Sequence, residues 1–383
     1  MNETAVASRQ VYFPNLDILR FVAAFMVIFL HAYEGWCGWF VKPGFLTIGD
    51  YKTFNTSGKY IDHLISNGSF GVDIFFLISG FLITYMMLVE KEKTGKINFI
   101  KFYTRRTFRI WPLYFFLIAV TPLLIRWLHK DQPDYLSVIF FYNNFHTIAT
   151  QRWTFPFSHY WSICIEEHFY LVWPFIVAFV PVKKLPVIFY GVIFISVLSR
   201  AWFSHFNYSF LHLFLHTLSR MDVLAMGALV AYYHFQKPIK LTTPVSIRVM
   251  LFILFIIVYS YESYSNWDTF FLACFRKYFY CGIAGFLMMN YLFNDRAVFN
   301  FKKKNILHYF GKISYGIYMY GNIILVIAIE KIILFYNIHN MYLYFIIVIG
   351  LTIAVSAVSY ETLEKYFLKL KTRFEVIRSN PIT

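Results

Sequence analysis

The stretch NLDILRFVAAFMVIFLHAYEGW, residues 15–36, sets Asp17, Arg20, His31 and Glu34 into an apolar run long enough to cross a bilayer. A charge at mid-membrane costs roughly 2.5–3.5 kcal/mol on insertion scales, so such side chains face a protein interior or a water-filled path. Arg20 and His31 are eleven residues apart, which on a helix is close to three turns and about 16 Å of rise, so they share one face. An arginine suits a phosphate or carboxylate, and an imidazole, largely neutral near pH 7, can take a proton from a hydroxyl. Two plainer readings compete: Arg20 snorkelling to head groups, and His31 in an interhelical hydrogen bond.

Three further stretches carry ionisable groups. In SHYWSICIEEHFYLVWP, Ser158 to Pro174, adjacent Glu166 and Glu167 point roughly 100° apart, and Glu166 shares its face with Ser162 and Tyr170. Glu166 is therefore expected to face a cavity and Glu167 a neighbouring helix; the alternative is that both pair with a buried arginine such as Arg200 or Arg220. In FYTRRTFRIWP, Arg106 and Arg109 lie three apart at a helix start, with Trp111 as an interfacial anchor. That spacing suits bidentate capture of phosphate, of a ligand or of lipid. FGVDIFFLISGFLITY places Asp73 at a helix start and Ser79-Gly80 at its middle, where small residues favour close helix packing.

The elements that must position these groups are helices in a membrane. The chain has 383 residues, 59% hydrophobic and 14% charged, with 46 Phe and 30 Tyr, too apolar for a soluble surface. Ten spans are predicted, at about 16–35, 69–89, 110–128, 160–181, 185–203, 215–234, 247–263, 270–293, 312–335 and 340–363, giving an all-α polytopic protein. The whole chain reads as one membrane domain, with its core over 16–370, no appended soluble domain and no internal repeat.

With ten spans, the loops holding Lys91 to Arg109, Lys183 and Lys184, Lys237 to Arg248, Arg296 to Lys304 and the C-terminal tail fall on one side. Basic short loops stay in the cytoplasm, so both termini are expected there. The net charge of +15 accordingly points to lipid head groups and away from nucleic acid. The first span has no cleavage pattern after it and is read as retained. Cys37, Cys164, Cys274 and Cys281 show neither disulfide nor metal spacing, which leaves Cys37 as a lone thiol in an outer loop. Two outer segments, 36–68 and 129–159, are longer than connectors need. Within the second, YLSVIFFYNNF (Tyr135 to Phe145) is too short to span and is either re-entrant or a surface helix.

Taken together these stretches resemble the acyltransferase 3 family of integral membrane acyltransferases. The ordered set LDILRFVAAFMVIFLHAY, GVDIFFLISGFLIT, Arg106-x-x-Arg109, YWSICIEEHFYLVWP, LSRMDVLAMGALVAY (Leu218 to Tyr232, with Arg220 and Asp222), ISYGIYMYGN and SYETLEKYF covers nearly the whole chain. One departure is Gly321, after Tyr320, where the family often has a histidine. The resemblance implies transfer of an acyl group, commonly acetyl, from cytoplasmic acyl-CoA to a hydroxyl of an envelope glycan or glycolipid outside a bacterial cytoplasmic membrane, with no metal. It also implies that Arg20, Arg106 and Arg109 hold the donor. His31 would act as base or be acylated first, with Glu166 or Glu34 orienting it. Asp73, Ser79, Ser162, Tyr170, Arg220 and Asp222 would support the site. The competing class is a transporter or flippase for a lipid-linked saccharide, which also needs buried charges.

Overall fold

Local sequence fixes several helix borders directly. Asn98 accepts a hydrogen bond from the Lys101 N–H and starts one helix, while the preceding helix stops at Gly95, whose φ of 73° suits a residue without a side chain. A computed structural model of the chain describes residues 13, 15–38, 59–261, 270–293 and 306–377. The long helices are α1 (Asn15–Trp36), α2 (Phe70–Thr94), α3 (Phe99–Leu128), α4 (Trp161–Phe179), α5 (Leu185–His205), α6 (Thr217–Gln236), α7 (Val245–Tyr261), α8 (Phe270–Phe293), α9 (Ser314–Ala328) and α10 (Met341–Ser359). Each expected span falls on one of them, and the described residues contain no strand. Eight helical runs are long and apolar enough to cross a membrane. The other two are α7, with 17 residues, and α8, which carries Arg276 and Lys277. This is an all-α, multi-pass membrane protein.

The centre is the α2–α6 contact. An added Cβ at Gly80 would lie 1.9 Å from the Leu224 carbonyl oxygen, and one at Gly227 would lie 2.2 Å from that of Leu77, so the two backbones touch where both lack side chains. Buried charge pairs α6 with α2 and also with α5 and α8. Asp73 of α2 pairs with Arg220 of α6 at 2.8 Å, and the guanidinium lies over the rings of Phe76, Trp161 and Phe214. Asp222 of α6 meets Arg200 of α5 at 2.8 Å and Lys277 of α8 at 2.6 Å, and accepts from the Tyr278 hydroxyl. Arg200 and Arg220 are thus matched to Asp222 and Asp73. The alternative in which they pair with Glu166 and Glu167 does not occur, because the α6 register sets both arginines beside aspartates.

Segment 129–159 folds inward. Its helices Tyr135–Ile139 and Asn143–Thr150 are stapled by buried amides: Asn143 donates to the Phe157 carbonyl, Asn144 to the Leu215 carbonyl and Thr217 Oγ1. Of the two readings, an embedded segment is nearer than a surface helix, although Phe140 remains 68% exposed. Of segment 36–68, the helix Lys59–Ser66 packs on α7, whereas 39–58 lie outside the described residues. Cys37 continues α1 and is buried, a correction to its expected place in a loop. Lys91 turns its ammonium onto the Val177, Ala178 and Val180 carbonyls at 2.7–3.0 Å, neutralising the C-terminal end of α4.

Candidate active site

The two ends of α1 carry different chemistry. Near its start, Arg20 donates to Asp17 at 2.8 Å, a one-turn pair that keeps the guanidinium on the inner face. Arg20, Arg106 and Arg109 line one cavity of about 230 Å³ together with Asp17, Glu90, Arg105, Lys371 and Glu375. The Arg106 guanidinium lies over the rings of Phe102 and Tyr170 at 5.8 and 5.7 Å, and its buried Nε has no hydrogen-bond partner among the described residues. Arg105 is held by Glu90 at 3.3 Å. A cluster of guanidinium groups with few matching carboxylates can receive a polyanion.

Near its end, α1 presents His31, whose Nδ1 lies 3.0 Å from Glu34 Oε2; the two side chains are 28% and 21% exposed. A carboxylate on Nδ1 holds that nitrogen protonated and leaves Nε2 as the acceptor, the tautomer a general base requires. No hydrogen bond or ion pair joins Glu166 to His31 among the described residues; the carboxylate in contact with the imidazole is that of Glu34, one turn along the same helix.

Glu166 instead sits between α2 and α4. It accepts from Ser79 Oγ at 3.0 Å and from the Tyr170 hydroxyl at 2.7 Å, and it feels the charges of Arg106 and Arg20. Of the two residues expected on its face, Tyr170 bonds Glu166 directly and Ser162 does not. Ser162 lies 2.6 Å from the Tyr318 hydroxyl and also reaches the His159 carbonyl. Glu167 turns toward Trp111 of α3. Asp73 and Arg220 lie in the buried α2–α6 ion pair and Asp222 in the pairs of α6 with α5 and α8, none of them lining the arginine cavity.

Several residues were not legible as site members. His159 is buried and close enough to His31 for their charges to interact; Asn322 of α9 bridges His159 Nδ1 at 3.1 Å and Ser158 Oγ at 2.8 Å. Tyr318, Asn322 and Tyr315, whose hydroxyl donates to the Ile110 carbonyl, all come from the ISYGIYMYGN stretch, which departs from the family pattern at Gly321. Gly321 faces Ile28 of α1 at ordinary contact distance. Polar residues spaced along that stretch were the available signal. A larger groove of about 1020 Å³ lies between α1, α2, α7 and α8, but its lining is nearly all apolar and contains none of the clustered arginines or His31. The arginine cluster lines the smaller cavity, and His31 lines neither of the two. Among the described residues no group of three His, Cys, Asp or Glu could hold a metal ion.

A family model described as "Acyltransferase domain" matches residues 13–361. Among curated proteins, the chain is 26% identical over 391 aligned positions to a Staphylococcus aureus (strain COL) protein whose name proposes an O-acetyltransferase, covering 94% of this chain and 58% of that protein. It is 27% identical over 339 positions to O-acetyltransferase OatA of Staphylococcus aureus (strain NCTC 8325 / PS 47), covering 81% and 50%. The chain thus spans about half the length of the curated relatives it matches. No solved structure gives a significant match.

Proposed function

This chain belongs to that family of membrane acyltransferases, and from that premise we propose that it moves an acetyl group from cytoplasmic acetyl-CoA to a hydroxyl of an envelope glycan outside the membrane. The observation that carries the reading is the division of α1: an arginine-rich cavity around Arg20 at one end and the His31–Glu34 pair near the other. The names of its relatives support acetyl as the group and oxygen as the acceptor atom. The basic loops support a cytoplasmic donor side and cytoplasmic termini.

In this mechanism Arg20, Arg106 and Arg109 hold the phosphate-bearing end of the donor, and its thioester arm runs along the inner face of α1 toward His31. Glu166, fixed by Ser79 and Tyr170, keeps Arg20 and Arg106 in register by its charge. The acceptor hydroxyl gives its proton to His31 Nε2 as its oxygen attacks the thioester carbonyl. Glu34 stabilises the imidazolium that forms. Collapse breaks the C–S bond, and His31 returns the proton to the departing thiolate, so ester and free thiol balance acyl donor and alcohol. Asp73 and Arg220 serve this site by holding α6 against α2, and Asp222 by holding α6 against α5 and α8, while Ser162 fixes Tyr318 beside His159.

The test is mass spectrometry of envelope glycans from cells carrying the wild-type gene, no gene, or the His31→Ala variant. Acetyl esters should appear only with the wild type. A His31→Ala protein present in the membrane at normal level and still adding acetyl esters would refute the assignment.

A further inference from the structure

The donor-side cavity holds one cation that no motif supplied. Lys371 lies beyond the family match, on the short helix Lys365–Lys371 that follows α10 and packs on α3, yet it lines the same cavity as Arg20, Arg106 and Arg109. Its position is held because Arg105 Nη1 donates to the Phe374 carbonyl at 2.9 Å and ties the turn after Lys371 to α3.

The charge balance of the cavity singles Lys371 out. Five cations and three carboxylates line it. Asp17 answers Arg20 and Glu90 answers Arg105 through direct contacts. Arg106, Arg109 and Lys371 have no carboxylate within 4 Å among the described residues, although Lys371 feels Arg109, Arg106 and Arg20 as like charges and Glu375 as an opposite one. Glu166 and Glu364 act on Arg106 and Arg109 only from beyond direct contact, as Glu375 does on Lys371, so the three like charges still oppose one another until an anion enters. The cavity, at about 230 Å³, is below the usual 300–1,000 Å³ of a site that encloses a whole small molecule. It is sized for an end group. A phosphomonoester carries about −1.5 to −2 charges at pH 7, and the nucleotide end of CoA bears one in addition to its diphosphate. Guanidinium forks suit the bidentate edges of such groups, and an ammonium supplies a movable point charge.

We propose that Lys371 is a donor-specificity residue, its ammonium binding a phosphate of the CoA nucleotide end beside Arg106 and Arg109, with segment 365–377 forming the outer wall of the donor site. The proposal rests on the acyl-CoA reading above and adds a wall that the family match does not include. It requires that the donor be recognised by its phosphates and that Lys371 be blind to the acyl arm.

The experiment compares acetyl-CoA with S-acetyl-pantetheine, which has the same thioester and no phosphate, using full-length protein in phospholipid-free detergent. Lys371→Gln should raise KM for acetyl-CoA about tenfold with kcat within twofold, and should leave kcat/KM for S-acetyl-pantetheine at the wild-type value. Lys371→Arg should restore most of the acetyl-CoA affinity. Equal loss with both donors would make Lys371 structural, and no loss with either would remove it from the site; both results overturn the proposal. If lipid phosphate were the natural anion, Lys371→Gln would change activity only after anionic phospholipid is added back, which also overturns it. Competition by CoA against labelled acetyl-CoA, read as binding, gives the same decision for a variant that turns over poorly. A wild-type protein that uses neither donor would refute the acyl-CoA reading itself, before any variant is compared.

Discussion

Glu34→Gln isolates what the carboxylate beside His31 does. The two groups meet at 3.0 Å, and their side chains keep 28% and 21% of their exposure, so water partly screens the pair. A hydrogen bond to a charged group contributes about 1.5–3 kcal/mol, and partial exposure places this one near the lower end, about 1.5–2 kcal/mol. The imidazole becomes charged only as it takes the acceptor proton, so this stabilisation is lost chiefly in the transition state. At 1.36 kcal/mol per decade the expected fall in kcat is roughly 10- to 30-fold. KM for acetyl-CoA should stay put, because the donor cations lie at the other end of α1. His31→Ala removes the base altogether and should cost about 10²–10⁴ in kcat. The assay is acetyl transfer from labelled acetyl-CoA to a soluble acceptor by protein in detergent, fitted for kcat and KM separately. Wild-type kcat in Glu34→Gln would refute the reasoning. So would a selective kcat loss in Glu166→Gln with Glu34→Gln unaffected, since that would make Glu166 the orienting carboxylate despite its distance from the imidazole.

Three further outcomes follow from the packing. Gly80→Ala sets a Cβ 1.9 Å from the Leu224 carbonyl oxygen, a backbone atom that cannot turn aside; the cost should be about 1–3 kcal/mol or more, seen as a lower melting temperature in detergent, and an unchanged melt would contradict the close α2–α6 approach. Asp73→Asn takes away the carboxylate facing Arg220 at a fully buried site and should destabilise by about 3–5 kcal/mol. The apolar pair Asp73→Leu with Arg220→Met should recover most of that in the same melt, and no recovery would mean the pair is not the cause. Lys91→Ala uncovers the Val177, Ala178 and Val180 carbonyls at the end of α4 and should cost about 1–2 kcal/mol, a smaller shift than either core change; a larger one would give Lys91 a role beyond capping.

Much of the fold was legible because its signals are local. Each apolar window became a helix because a twenty-residue apolar run satisfies its backbone internally in lipid, and caps such as Asn98 and Gly95 act within a few residues of themselves. Within a helix, spacing also worked: Asp17 with Arg20, His31 with Glu34, and Glu166 with Tyr170 are pairs three or four apart that meet. Ser162, at the same spacing from Glu166, failed that rule because Tyr318 of α9 and the His159 carbonyl offered it other partners. The place of Cys37 was misread, and the choice between two readings of segment 129–159 left open, for a related reason, since burial there depends on neighbours far along the chain.

The sequence by itself determined the membrane class, the ten helices, the alignment of Arg20 and His31 on α1, and the ordered motifs that mark an acyltransferase. These depend on composition and on a 3.6-residue period, which the chain carries locally. Tertiary structure decided which helix faces meet: Asp73 with Arg220, Ser79 with Glu166 across 87 residues, His159 beside His31, and Lys371 in the cavity of Arg20. Helix rotation and neighbour choice are set by small residues such as Gly80 and Gly227 and by matched buried charges summed over the whole bundle, and no local spacing encodes that sum.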